Sequence, residues 1–170
     1  GVGAFPPVEA TMTVAKLKVL CVDDEPLNLM VLEALLSPRG YDVIRAGGGA
    51  AALALMEERA VDIVLLDVMM PEMTGFEVCR RIKDDARFRN VPVIMITALA
   101  SRGDRIQGIE AGAEDFLSKL FDHAEVLARI QMLLKVKDLN DELRNAYSNI
   151  TNFTAYGEDL IKTFNPATFD

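Results

Sequence analysis

An alternation constrains this fold more than any other feature of the chain. From Leu17 onward, short runs of β-branched and aliphatic residues take turns with segments of helical period, and five such repeats can be counted. The expected strands are Lys18–Val22, Asp42–Arg45, Ile63–Leu66, Val93–Ile96 and Asp115–Leu117. Runs this apolar cannot leave one face in water, so they belong in a parallel sheet covered by helices on both sides. The expectation is an α/β, doubly wound sheet in which all five strands are central or near-central.

Helix boundaries carry their own signals. Pro26 stands at a first-turn position, where its missing N–H costs nothing. Thr74/Glu77, Ser101/Asp104 and Asp122/Glu125 have the spacing of capping boxes, in which side chains satisfy the orphan amides of a helix start. Gly40 and Gly112 stand where helices should stop. Gly47-Gly48-Gly49 has the look of a phosphate-binding loop, but no Gly-Lys-Ser/Thr follows and the next helix is plain Ala/Leu. A flexible turn is the better account.

The 170 residues suffice for one domain with a buried core plus an appendage of a few tens of residues. A net charge of −8, with no run of Lys or Arg against it, disfavours a nucleic-acid or anionic-membrane surface. Cys21 lies in an apolar run and Cys79 in a helical pattern, which suits small buried hydrophobes in a reducing compartment and hence a cytoplasmic protein. No apolar stretch approaches the ~20 residues of a membrane span. Residues 1–15 read as a disordered leader, since Gly1 to Thr11 is small, Pro-containing and free of the positive charge of a signal peptide.

The last helix does not end where a domain of this size should. Met132, Val136, Leu139, Leu143, Ala146, Ile150 and Phe153 step alternately by four and three, a coiled-coil seam of about three heptads. Such a stripe should pack against a second copy or a neighbouring domain; the alternative is a helix folding back on its own domain. Beyond Gly157 the pattern weakens, and Asn165-Pro166 breaks the helix. The expected organisation is a leader at 1–15, a globular domain at 16–134, a coiled-coil helix at 135–162 and, at 163–170, the start of a linker to an output region.

Polar residues gather at one rim. Asp23 and Asp24 close the first strand, Asp67 the third, Thr97 the fourth and Lys119 the fifth. Ligands of open parallel sheets bind outside the carboxyl ends of the strands. Three converging carboxylates repel one another unless a cation sits among them, and all-oxygen ligation suits Mg²⁺. A carboxylate held against Mg²⁺ can act as a nucleophile toward phosphorus, with an ammonium and a hydroxyl receiving the phosphoryl oxygens. Acidic residues after strands are also ordinary turn formers and caps, which accounts for any one of these positions but poorly for all five together. His123, the only histidine, sits beside an expected N-cap with no second ligand or base near it in sequence, and reads as a surface residue.

From Lys16 to about Leu134 the chain resembles the receiver domains of bacterial two-component response regulators. The resemblance rests on Val22-Asp23-Asp24-Glu25-Pro26, Leu66-Asp67-Val68-Met69-Met70-Pro71-Glu72-Met73-Thr74-Gly75, Ile96-Thr97-Ala98 and Phe116-Leu117-Ser118-Lys119, in that order. It implies a flavodoxin-like sheet of strand order 2-1-3-4-5 flanked by five helices, the last extended. It implies that Asp67 takes a phosphoryl group from a histidine kinase or phosphotransfer protein, while Asp23, Asp24, Asp67 and the Met69 carbonyl hold Mg²⁺. Lys119 and Thr97 would complete the site. Thr97 and Phe116 would be the switch pair that remodels the fourth helix, fifth strand and fifth helix, a population shift of a bistable element. A homodimer through the C-terminal helix would carry the change onward. The chain departs from the family at Leu120, where a proline normally follows the lysine, so that loop is expected to be trans and differently shaped. Met69 and Leu99, each two residues past a site residue, should flank the phosphoryl group with apolar side chains.

Two other functions remain open on the residues alone. A phosphatase or phosphotransferase also uses an Asp nucleophile with Mg²⁺, but it would want a second Asp two residues after Asp67, where Met69 stands. A phosphorylation-independent scaffold would make the coiled coil the function.

Overall fold

The computed structural model of the protein describes residues 16–98, 101–120 and 122–164, with side chains described as far as residue 152. The leader at 1–15, the tail at 165–170 and Leu99 lie outside the described residues. Strands β1 (Lys18–Val22), β2 (Asp42–Ala46), β3 (Ile63–Leu66), β4 (Val93–Thr97) and β5 (Asp115–Ser118) alternate with helices α1 (Pro26–Leu36), α2 (Gly49–Glu58), α3 (Gly75–Asp84), α4 (Arg102–Glu110) and α5 (His123–Phe164). A short 3-10 turn, Ser37–Arg39, follows α1. All strand pairs are parallel, in the order β2-β1-β3-β4-β5.

The expectation that every strand is central or near-central fails for two of the five, because β2 and β5 are the edges. Hydrophobicity reports whether the faces of a strand are covered, and helices cover the faces of edge strands too. What marks the edge is milder. Arg45 of β2 is exposed and pairs with Glu33 of α1, and β5 is only half-buried at Asp115 and Ser118.

Side chains alternate between two cores, as the two-residue period of a strand requires. Leu20, Val22, Val64, Leu66 and Met95 point to one face, against Ala52 and Met56 of α2 and Phe76, Val78, Cys79 and Ile82 of α3. Val19, Cys21, Ile63, Leu65, Ile94 and Ile96 point to the other, against Leu29, Leu32 and Leu36 of α1 and Val126, Leu127 and Ile130 of α5. Both cysteines are buried, which pushes the Cys21 thiol up to about 12 and that of Cys79 to about 11, so neither is a reactive thiolate. Helix α4 is the exception to this packing. It buries only Gly108 and leaves Ile106 and Ile109 exposed.

The caps fall close to expectation. The Thr74 and Ser101 hydroxyls accept from the amides of Glu77 and Asp104, and Asp122 caps α5 through the amide of Ala124. Gly40 and Gly112 end their helices in left-handed conformations, at φ +88° and +97°. The flexible-turn reading of Gly47-Gly48-Gly49 needs correction at its last residue. Gly49 opens α2 and is buried, and a Cβ there would lie 2.6 Å from Val78 Cγ2 and 2.8 Å from Met73 Sδ.

Helix α5 runs on for 42 residues, about 63 Å at 1.5 Å per residue. Its first turns pack on the sheet, with Leu133 and Leu134 completing that contact. The seam at Met132, Val136, Leu139, Leu143 and Ile150 is 45–70% exposed, so α5 does not fold this stripe back onto its own domain. Among the described residues, no helix is long and apolar enough to cross a membrane.

Candidate functional site

The sheet's own hydrogen bonding carries the rim residues into place. The ladder continues one residue past the strands: the amide of Asp23 donates to Ala46 O (3.1 Å), that of Asp67 to Val22 O (2.9 Å) and that of Lys119 to Thr97 O (2.8 Å). These three side chains therefore start from rigid backbone although each lies at or beyond a strand end. Gly75 tightens the frame from α3. Its amide donates to Val68 O at 2.8 Å, and a Cβ on it would lie 2.1 Å from the carbonyl oxygen of Asp67.

Side-chain oxygens of Asp23, Asp24 and Asp67 all lie within 4.8 Å of one another. Asp23 and Asp67 are buried, at 3% and 5% exposure, while Asp24 faces solvent. Lys119 Nζ stands 3.1 Å from Asp23 Oδ2 and 3.4 Å from Asp67 Oδ2. The other oxygens are held by backbone: Asp67 Oδ1 accepts from the Val68 amide (2.9 Å) and Asp23 Oδ1 from that of Glu25 (3.0 Å). Asn28 Nδ2 adds a 3.1 Å hydrogen bond to Asp23 Oδ2. A cavity of about 110 Å³ opens among Asp23, Asn28, Asp67 and Lys119, with Val31 and Leu32 on its apolar side.

The electrostatics follow from this crowding. Burial and then the charge of Asp23 raise the pKa of Asp67, against the opposing pull of Lys119 and the Val68 amide. Burial works against the Lys119 ammonium, but its hydrogen bond to Asp23 and the charges of Asp67 and Asp23 outweigh that, and its pKa is raised. Three carboxylates against one ammonium leave an excess of negative charge presented on hard oxygen donors. That donor set fits a small divalent cation.

The structure thus brings together Asp23, Asp24, Asp67 and Lys119. The Lys119–Leu120 peptide is trans and the Leu120 side chain is almost wholly exposed, yet the lysine still reaches both carboxylates. Thr97 is buried at the end of β4, which pairs with β3 so that Met95 is opposite Leu66, one residue before Asp67. Phe116 is buried too, its ring against Gly108 of α4 and beneath the Arg105 guanidinium at 5.9 Å. Met69, beside Asp67, is exposed, and Glu72 in the same loop holds a left-handed φ of 71°. His123 opens α5 on the surface. Sequence reasoning missed Asn28 and the role of Gly75. The only signal for Asn28 was an asparagine within the first turn after Pro26, where helix propensity favours almost any straight-chain residue.

Comparison with known proteins agrees with this geometry. The family model of the response regulator receiver domain matches residues 19–131. Response regulator PleD of Caulobacter vibrioides is 50% identical over 127 residues, covering 75% of this chain and 28% of PleD. The DNA-binding dual master transcriptional regulator RpaA of Synechocystis is 40% identical over 121 residues, 71% of this chain and half of that protein. This chain therefore spans between about a quarter and a half of these relatives. Among solved structures, the receiver domain of the sensor histidine kinase PA1611 of Pseudomonas aeruginosa, which has a magnesium ion coordinated in its active-site cleft, aligns with a TM-score of 0.67 and 35% identity, covering 71% of this chain and 99% of that one. The parallel five-stranded order, the acidic rim and these matches have one explanation: this chain belongs to the response regulator receiver domains, the phosphoacceptor modules of two-component signal transduction.

Proposed function

We propose that Asp67 is the phosphoacceptor and that its phosphorylation by a histidine kinase or phosphotransfer protein switches the α4-β5-α5 face and a dimer formed through α5. The observation that carries this is the meeting of Lys119 Nζ with buried Asp67 and Asp23 at 3.4 and 3.1 Å, where Asp24 completes a cluster of three carboxylates. An Asp67 carboxylate oxygen attacks phosphorus as the donor's P–N bond breaks, and the histidine nitrogen keeps the electron pair. Asp23, Asp24, Asp67 and the Met69 backbone carbonyl would hold Mg²⁺, which supplies charge neutralisation at the transferring group. Lys119 and the Thr97 hydroxyl receive phosphoryl oxygens. The chemistry is limited to self-phosphorylation and self-dephosphorylation of Asp67.

Helix α4 suits the moving part, since an element with one buried residue belongs to the low-stability end of a fold. The Phe116 ring packs against Gly108 of that helix, which supports its role as the switch aromatic. We assign 16–134 to the receiver and 135–162 to a coiled-coil signalling helix, whose exposed heptad seam is the surface a second copy would cover. Buried thiols favour a cytoplasmic setting, and a net charge of −8 with no run of Lys or Arg in the sequence disfavours direct nucleic-acid contact. A phosphorylation-independent scaffold is disfavoured, because it has no need of a lysine held between two buried carboxylates.

Sedimentation with Mg²⁺ and beryllofluoride tests the switch. The wild type should shift toward dimer, and Leu143→Asp, 70% exposed in the seam, should stay monomeric. Identical profiles with and without beryllofluoride would remove the coupling.

A further inference from the structure

We infer that Asn28 is a positioning residue for the metal site: its side-chain amide anchors Asp23 so that Lys119 can leave that carboxylate without releasing it. The inference rests on the proposed Mg²⁺ and phosphoryl site and adds a residue to it. Asp23 Oδ2 has two donors, Asn28 Nδ2 at 3.1 Å and Lys119 Nζ at 3.1 Å. Lys119 also lies 3.4 Å from Asp67 Oδ2, so an arriving phosphoryl group draws it toward Asp67 and away from Asp23. Asn28 and the Glu25 amide then remain as the two anchors, one on each oxygen of Asp23.

Three observations single out the amide. Its identity as donor is forced by its surroundings, because Asp23 Oδ2 and, at 3.5 Å, Glu25 Oε2 are both acceptors. The amide is neutral, so it satisfies a carboxylate lone pair without cancelling charge that a cation needs. The backbone beneath it is fixed, since the Asn28 amide donates to Glu25 O in the first turn of α1, at 3.1 Å. Asparagine is also a poor choice for the helix itself, and a residue that breaks a local rule invites a functional reason.

The test is a calorimetric Mg²⁺ titration of the whole chain, with thermal unfolding in EDTA alongside. Asn28→Ala should raise the Mg²⁺ Kd about tenfold, as loss of a ligand's own hydrogen-bond partner typically does, while the metal-free Tm falls only slightly, because Lys119 still serves Asp23 Oδ2 and alanine is the better helix former. Asn28→Gln, which keeps an amide donor, should recover most of the lost affinity. A Kd for Asn28→Ala within twofold of wild type overturns the inference, as does a loss of affinity that merely tracks a fall in Tm. The parent reading is separable: it fails if the wild type binds no Mg²⁺, or binds it equally well after Asp24→Asn.

Discussion

Gly75→Ala puts the frame behind Asp67 to its hardest test. A Cβ at Gly75 would sit 2.1 Å from the Asp67 carbonyl oxygen, 2.8 Å from Val68 Cα and 2.9 Å from the Asp67 carbonyl carbon. Ordinary contact begins near 3.4 Å, so the shortfall exceeds an ångström, and all three neighbours are backbone that cannot swing aside. Relief means breaking the Gly75 N–H to Val68 O hydrogen bond or pushing Asp67 outward. Replacing glycine by alanine in a helix gains up to about 1 kcal/mol. Against that stand about 1–3 kcal/mol for overpacking and about 1 kcal/mol for a lost hydrogen bond. The balance is a destabilisation of about 1–3 kcal/mol, to be read as a lower urea midpoint at unchanged slope. The chemistry should suffer more, since displacing a reacting group by about an ångström can cost on the order of a hundredfold in rate. Gly49→Ala is the control. Its Cβ would meet the Val78 and Met73 side chains, so stability should fall with little change in the rate of Asp67 labelling by acetyl phosphate. A Gly75→Ala protein with wild-type urea midpoint and labelling rate would refute the reasoning.

Two further outcomes follow from the charges. Because the folded pKa of Asp67 lies above its unfolded value, its contribution favours folding at low pH and is lost as pH rises through the folded pKa. Asp67→Asn should therefore raise the Tm of metal-free protein at neutral pH, with a gain that shrinks as the solution is acidified through the carboxylate range; an unchanged or lower neutral-pH Tm counts against the electrostatic account. Lys119→Met removes the cation that competes for Asp23 and Asp67, so calorimetry should find tighter Mg²⁺ binding while phosphodonor labelling slows; weaker Mg²⁺ binding would show that the lysine organises the carboxylates instead of competing for them.

Much of this protein was readable in advance because its signals are local. Apolar runs set the five strands, and their lack of polar positions announced helices on both faces of the sheet. The ends of β2, β4 and β5 each run one residue further than expected, since Ala46, Thr97 and Ser118 are paired by neighbouring strands that a single run does not reveal. Edge position was hidden from composition, where face burial dominates while edges concern backbone amides, although the strand order implied by the family resemblance already put β2 and β5 at the edges. The acidic rim and Lys119 were legible because polar residues at strand ends interrupt apolar runs. The lysine's reach past Leu120, the anchoring by Asn28 and the approach of Gly75 to Asp67 depend on how separate segments meet. So does the inward packing of Phe116 against Gly108, which joins residues of α4 and β5.

The central claim is that Asp67 takes the phosphoryl group. Incubating the whole chain with acetyl phosphate and Mg²⁺, trapping the acyl phosphate by borohydride reduction and mapping the modified peptide by mass spectrometry addresses it directly. The account predicts one modification, at Asp67, that requires Mg²⁺ and disappears in Asp67→Asn. Modification at Asp23 or Asp24 in the wild type, or none in Mg²⁺-replete folded protein, would contradict it.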